Sequence, residues 1–317
     1  MSTFNITPKL LEQLCTVNQY RLRADELVFV GIRGAITALP NDNSWKSKHS
    51  LSLMDVNYTN PRCTLLQWRP KTGELAAFPA STVPHMRHIR EAKQRDGKGA
   101  NCLMTGFYTD YRKGVHNASK PSGHEAFRQN AVQPIRRNTD DFDFDKDDRI
   151  EYSNPFDNIH CGWFAGLSAD AYASAGCQVV MGFPRCKKEG RTENVGPWRV
   201  FHKNAYSIAQ QSFQYLLFSG TEVFSLGAGE KPKNAKLRYG SQGPLVAELQ
   251  AALKEREFYE GTIDGEFGER TMKAVIRFQE HNFGRSGADG IVGAITAEAL
   301  DVALQLAPRL EPGNVMG

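Results

Sequence analysis

The 317-residue chain has no uninterrupted apolar run approaching the ~18 residues that a membrane helix needs, so no membrane span is expected. Its first residues, Met1 to Pro8, lack the basic stretch and apolar core of a cleavable secretory signal. The expectation is a protein made in the cytoplasm that reaches any outside target by another route. Cysteine is sparse. Cys15, Cys63, Cys102, Cys161, Cys177 and Cys186 show no Cys-x-x-Cys spacing, which excludes a disulfide scaffold and the familiar zinc knuckles. Dense Lys/Arg runs are also missing, so nucleic acid is not an expected partner.

What is present is ordinary globular usage, with 40% hydrophobic and 23% charged residues. This length suggests about two domains. Residues 237–317 hold 8 Lys and Arg against 12 Asp and Glu, whereas residues 1–236 hold 31 against 23. A mildly basic body is thus joined to an acidic end. Between them, residues 226–236 are rich in Gly, Pro and Lys and read as an exposed linker. The expected division is a body over 1–225, the linker 226–236, a small domain over 237–305 and a tail over 306–317.

In the body, apolar residues come in short runs at Leu27–Ile32, Cys63–Trp68, Cys102–Tyr108 and Gln178–Met181, which favours strands. Helices are expected only after Pro8 and over Ala205–Phe218. After the linker, Leu245, Val246, Leu249 and Leu253 recur at helical spacing behind Gly243-Pro244. Two further helical faces follow, one with Met272, Val275, Ile276 and Gln279, the other with Ile295, Ala299 and Leu300. An internal repeat lies between them: Asp264-Gly265-x-x-Gly268-x-x-Thr271 returns 25 residues later as Asp289-Gly290-x-x-Gly293-x-x-Thr296. Asp-Gly marks a tight turn, because Gly accepts positive φ and Asp bonds nearby amides. The fold class is therefore α+β: a β-rich domain followed by a small all-α, three-helix domain.

Residues Leu237 to about Leu300 resemble the peptidoglycan-binding module of cell-wall enzymes. The resemblance rests on Gly240, Gly243, Leu249-Gln250, Leu253, both Asp-Gly units, Ala274 and Phe278-Gln279, and it implies bacterial peptidoglycan as a partner.

Chemistry in the body centres on Asn158-Ile159-His160-Cys161-Gly162-Trp163 and Ser174-Ala175-Gly176-Cys177-Gln178. A thiol attacks as thiolate, and a nearby imidazole can take its proton. Gly176 permits a tight turn that exposes the thiol and frees amides for an oxyanion. These segments resemble the L,D-transpeptidase family, whose pattern is His, a gap, then Ser/Thr-His-Gly-Cys. The wider stretch Leu27 to Phe224 is similar to a divergent phage- and effector-associated branch. The resemblance implies Cys177 as nucleophile and His160 as base, with Ser174 and Gly176 completing the motif. It also implies acyl transfer at diaminopimelate-containing stem peptides, without cofactor or metal. Ala175 and Val179 depart from the family pattern.

His116, Trp163 and Arg137 are the candidate substrate-binding residues. Delivery by phage lysis, as an endolysin, or by a secretion apparatus, as an antibacterial effector with an immunity protein, are both compatible with this reading. The alternative is a non-catalytic wall-binding phage component that keeps a degenerate enzyme fold. Weaker constellations are a papain-like order using His202 or His281, zinc on Cys161, Cys177, Cys186 and His160, the pair His85 and His88, and a calcium loop in the acidic run 140–148. In that run Lys146 occupies the glycine position, and a solvated loop tied to Arg136 and Arg137 is expected instead.

Overall fold

The computed structural model describes residues 2–95, 99–138, 141–145 and 148–306. The expected tail falls outside them from residue 307 onward. Fourteen strands are formed among the described residues. They are β1 (Thr3–Ile6), β2 (Val28–Arg33), β3 (Ala35–Thr37), β4 (His49–Leu53), β5 (Cys63–Arg69), β6 (Glu74–Ser81) and β7 (Asn101–Leu103), then β8 (Gly106–His116), β9 (His124–Gln129), β10 (Gln133–Arg137), β11 (Arg149–Ser153), β12 (Ile159–Cys161), β13 (Gln178–Val180) and β14 (Ser212–Ser219). Four helices accompany them: α1 (Pro8–Val17), α2 (Met86–Arg95), α3 (Pro197–Tyr206) and α4 (Gly220–Gly227). The last three are α5 (Pro244–Glu255), α6 (Glu269–Phe283) and α7 (Ala294–Ala299).

Eight strands close a barrel in the order β12-β13-β6-β5-β2-β14-β8-β9, flanked by the sheets β1-β4-β3 and β11-β10-β7. The barrel is mixed, because β14 pairs parallel to β2 and β12 parallel to β13. The largely apolar sequences of β2 and β14, interrupted by Gly31 and Gln214, follow from burial on both faces. Phe29, Phe213, Tyr215 and Leu217 pack to one side, where Phe29 stacks on Phe213 at 4.6 Å. Val28, Val30, Ile32, Leu216 and Phe218 pack to the other, against α1 and Val223 of α4. Here the structure corrects the helix expected over Ala205–Phe218. Helix α3 ends at Tyr206, and Ser212–Ser219 is a central strand. The apolar end of this stretch, Tyr215–Phe218, is short enough to suit a doubly buried strand as well as a helix, and only the partners decide between them.

Residues 1–24 supply β1 and α1. Thr7 caps α1 by accepting from Leu10 N–H at 3.2 Å, and Pro8 follows at the first turn, where its missing N–H costs nothing.

The C-terminal helices share one core, which includes Leu237, Val246, Leu249, Leu253, Phe267, Met272, Val275, Phe278 and Leu300. The repeated turns are each fastened by a buried glutamine from the preceding helix. Gln250 accepts from Gly265 N–H at 2.9 Å and donates to Asp264 at 2.7 Å and Thr271 at 2.9 Å. Gln279 repeats this with Gly290 at 2.9 Å, Asp289 at 3.1 Å and Thr296 at 3.1 Å. Ile295, expected on the inner face of α7, is 73% exposed, and Thr296, Ala297 and Leu300 are buried instead.

This bundle sits directly on the barrel domain. Arg238 is 2% exposed and bonds Glu222, Asn18 and Thr105. Phe107 N–H donates to Tyr239 at 3.0 Å, and Gly240, at φ +91°, lies so close that a Cβ would meet the Phe107 carbonyl at 2.5 Å. In the stretch 226–236 most residues are exposed, but Ala235 is buried, bonding Leu304 at 2.7 Å, and Lys236 bonds Val17 at 2.8 Å.

Candidate active site

The parallel pairing of β12 with β13 sets His160 opposite Val179 and Ile159 opposite Gln178. One step earlier, Gln178 N–H bonds the Asn158 carbonyl at 2.9 Å, so Cys177 lies beside Asn158. Alternation along each strand then puts His160, Cys177 and Val179 on one face and Cys161 and Gln178 on the other. A ring nitrogen of His160, one of His116 and Sγ of Cys177 all lie within 4.8 Å of one another. β8, β12 and the turn before β13 thus meet in a single constellation, with His160 and Cys177 17 positions apart in sequence.

The two imidazoles stack at 4.0 Å between ring centres. His160 Nδ1 lies 2.7 Å from the Cys161 carbonyl, an acceptor only, so Nδ1 carries the proton and Nε2 keeps its lone pair. That Nε2 is buried without a partner. His116 Nδ1 lies 3.0 Å from the Asn158 side-chain amide, whose oxygen is taken by Gln129 N–H at 3.0 Å. Asn158 therefore donates, His116 Nδ1 accepts, and His116 Nε2 bears the N–H. One ring offers a base and the other a donor. The same bond fills a lone pair that a metal would need on His116, although the donor types alone suit a soft divalent ion.

Burial holds His160 far below the ordinary imidazole range, helped by His116 and His124. His116 is lowered to about 4, again chiefly by burial. Burial also pushes the Cys177 thiol well up, and the Asp157 charge adds to this, while the Asn158 and Cys177 backbone N–H groups favour the thiolate. The resting pair is accordingly a neutral thiol and a neutral imidazole. Cys177 is 7% exposed, packs against Phe164, Tyr172, Val179 and Met181, and donates to the Phe156 carbonyl at 3.6 Å. Phe156 has φ +62°, a left-handed conformation that turns this carbonyl onto the sulfur.

The turn before Cys177 is built by Ser174 and Gly176. Ser174 Oγ donates to the Cys177 carbonyl at 2.7 Å and accepts from Gly176 N–H at 3.3 Å. That amide is thereby occupied. Gly176 has φ +144°, and a Cβ there would lie 1.9 Å from Asn101 Nδ2 and 2.5 Å from Asp157 Oδ1.

Asp157 and Asn101 are the pair that sequence reading missed. Asp157 is buried, bonded to Asn101, and raised to about 7 by burial, against the pull of Asn101 and Arg137. Its place three residues before His160, after Asn154-Pro155, was the available signal. Arg137 does not reach the thiol. It bonds Glu151 at 2.8 Å and Asn101 at 3.3 Å, two contacts removed from Cys177. Trp163, at φ +60°, lies 6.0 Å from the His124 ring, with Lys188 5.1 Å above its own ring. His124 in turn lies 5.3 Å from His160.

The other constellations fall elsewhere. His202 bonds Glu125 at 2.8 Å, and His281 is on the exposed side of α6. Cys161 packs into the barrel, Cys186 donates to Lys188 at 3.4 Å, and all six cysteines are free. His85 bonds the Asp170 carbonyl at 2.9 Å, and His88 faces Glu91 at 3.1 Å. Of the acidic run, positions 140, 146 and 147 lie outside the described residues. Asp143, Asp145 and Asp148 bring oxygens within 4.8 Å of one another, and Arg136 bonds the Asp148 carbonyl at 3.2 Å.

Comparison with known proteins bears on the bundle. The family described as "Putative peptidoglycan binding domain" matches residues 242–300. The spore cortex-lytic enzyme of Bacillus subtilis (strain 168) is 39% identical over 89 residues, 28% of this chain and 27% of that protein. The enzyme of the same name from Bacillus cereus (strain ATCC 14579) is 43% identical over 67 residues, 21% of this chain and 25% of that protein. The chain thus spans about a quarter of the length of the curated relatives it matches. No solved structure gives a significant match. The glutamine-fastened three-helix bundle at the C-terminal end of the chain is a peptidoglycan-binding domain.

Proposed function

We propose that the protein is a cysteine enzyme that modifies peptidoglycan by acyl transfer of the L,D-transpeptidase or L,D-carboxypeptidase type. The observation that carries this reading is the bare His160 Nε2 sharing one strand face with the Cys177 thiol, in a chain with a peptidoglycan-binding domain. Substrate entry displaces the Phe156 carbonyl from the sulfur. Sγ then attacks the carbonyl on the L-centre of diaminopimelate as its proton passes to His160 Nε2. The His116 N–H and the Cys177 amide stand nearby to stabilise developing negative charge, and the Asn158 amide, which donates to the Phe156 carbonyl at 2.8 Å, joins them once that carbonyl is displaced. The C–N bond breaks, and His160 returns the proton to the departing D-alanine amine. The acyl-enzyme passes to an amine, giving a crosslink or exchange, or to water, giving a trimmed stem. The bundle raises the local concentration of stems.

Similarity to cortex-lytic enzymes supports the wall as target, and the choice of bond rests on the resemblance of the His160 and Cys177 segments to the L,D-transpeptidase pattern. Action on the wall would follow phage lysis or a contact-dependent secretion apparatus.

Digestion of purified sacculi, with muropeptides resolved by chromatography and mass, tests the reading. The parent is expected to alter stem length or crosslinks, whereas Cys177→Ala and His160→Ala leave sacculi unchanged. Identical profiles for parent and variants overturn it. One observation favours a second reading, a wall-binding protein without turnover: the thiol is nearly buried and already bonded. That reading predicts sacculus binding with no muropeptide change.

A further inference from the structure

A cleft of about 640 Å³ opens between β11 of the barrel domain and α6 of the bundle, within the range of ligand sites. Its walls alternate in charge. Arg149 and Glu151 come from β11 and pair with each other at 2.5 Å, Lys273 of α6 pairs with Glu269, and Glu280 and Arg285 also line the cleft. Arg285 has no ion-pair partner among the described residues. Ile276 supplies an apolar patch, and the Tyr152 hydroxyl is buried without a hydrogen-bond partner, its ring 4.9 Å from Lys273 Nζ. A purely anionic polymer meets carboxylates here, and an uncharged glycan leaves unused Arg285 and Glu280, which have no ion-pair partner among the described residues. A short branched peptide bearing carboxylates and an ammonium, with methyl and methylene groups between, matches both signs and the apolar patch.

We propose that this cleft binds the stem peptide of peptidoglycan, so that the ligand is held jointly by the barrel domain and the bundle. This rests on the reading of the wall as target, but not on Cys177 chemistry. The cleft is joined to the candidate active site by Glu151, which also holds Arg137, and Arg137 bonds the Asn101 that buttresses Asp157.

The test is calorimetric titration of the full chain carrying Cys177→Ala with a soluble diaminopimelate-containing disaccharide tetrapeptide. Saturable binding is expected, at least tenfold weaker in Lys273→Glu/Arg285→Glu. Lys273→Gln/Arg285→Gln, expected to weaken binding about fivefold, covers unfolding of the charge-reversed chain. Chitotetraose, which lacks the peptide, is expected not to bind. Absence of saturable binding by the parent, affinity of the neutralised variant within twofold of it, or equal binding of the peptide-free glycan overturns the proposal. Muropeptide turnover in the sacculus assay is read separately, so loss of one conclusion leaves the other standing.

Discussion

Asp157 offers the sharpest test of the reasoning, because its burial, contacts and titration all bear on Cys177. Its carboxyl is raised from the usual 3.8 to about 7, with burial the dominant cause. Below about pH 4 the carboxyl is protonated in both the folded and unfolded chain and costs nothing extra. Between there and pH 7 the folded protein holds a proton that the unfolded chain has released, so stability falls as pH rises. Above pH 7 the full cost stands, on the order of 4 kcal/mol. Asp157→Asn keeps an oxygen for Asn101 and removes the charge. The variant is expected to match the parent near pH 4 and to exceed it by about 2–4 kcal/mol at pH 8. Thermal unfolding across pH 4–8 reads this as a difference in Tm that widens with pH. The variant thiol is also expected to alkylate at lower pH, since the Asp157 charge no longer opposes the thiolate. A Tm difference that is equal at pH 5 and pH 8 refutes the argument.

Four other outcomes follow from the same geometry. Gly176→Ala places a methyl on Asn101 and Asp157 in a backbone region unsuited to side chains, and is expected to cost about 2–4 kcal/mol by urea unfolding; an unchanged midpoint would contradict the close approach. Gln279→Leu strips the second repeat of its fastening and leaves the Gly290 N–H unpaired, at a cost of about 1–3 kcal/mol, with weaker pelleting on sacculi. Glu222→Gln leaves the buried Arg238 without its carboxylate and is expected to cost about 3–5 kcal/mol, read as protease cleavage within residues 226–236. Cys177 is expected to label slowly with iodoacetamide at pH 7 and faster as pH rises; rapid labelling at pH 6 would show a standing thiolate.

Much of the architecture was legible because it is local. The spacing of Leu245, Leu249 and Leu253, the paired Asp-Gly turns and the helix start at Pro8 each specify structure over a few residues, and each appears as expected. Ala205–Phe218 was misread because its apolar end, Tyr215–Phe218, is too short for a period that separates a doubly buried strand from a helix. Ile295 was misplaced because a helix of six residues is too short for its face to be fixed by spacing alone. At the site, the family resemblance pointed to His160 and Cys177, which the structure brings within 4.8 Å, but neither Asn101 nor the ring tautomers leave a trace in sequence. They depend on which carbonyl or amide a distant strand presents.

The sequence by itself determined the C-terminal three-helix bundle, since its turns and fastening glutamines are specified within one short segment. It also determined that an imidazole and a thiol were available 17 positions apart. Only the tertiary structure decided that these two share one face, that His160 presents a lone pair while His116 presents a proton, and that the thiol rests uncharged. Those properties come from burial and from contacts between β7, β8, β12 and the turn before β13, which no local pattern encodes.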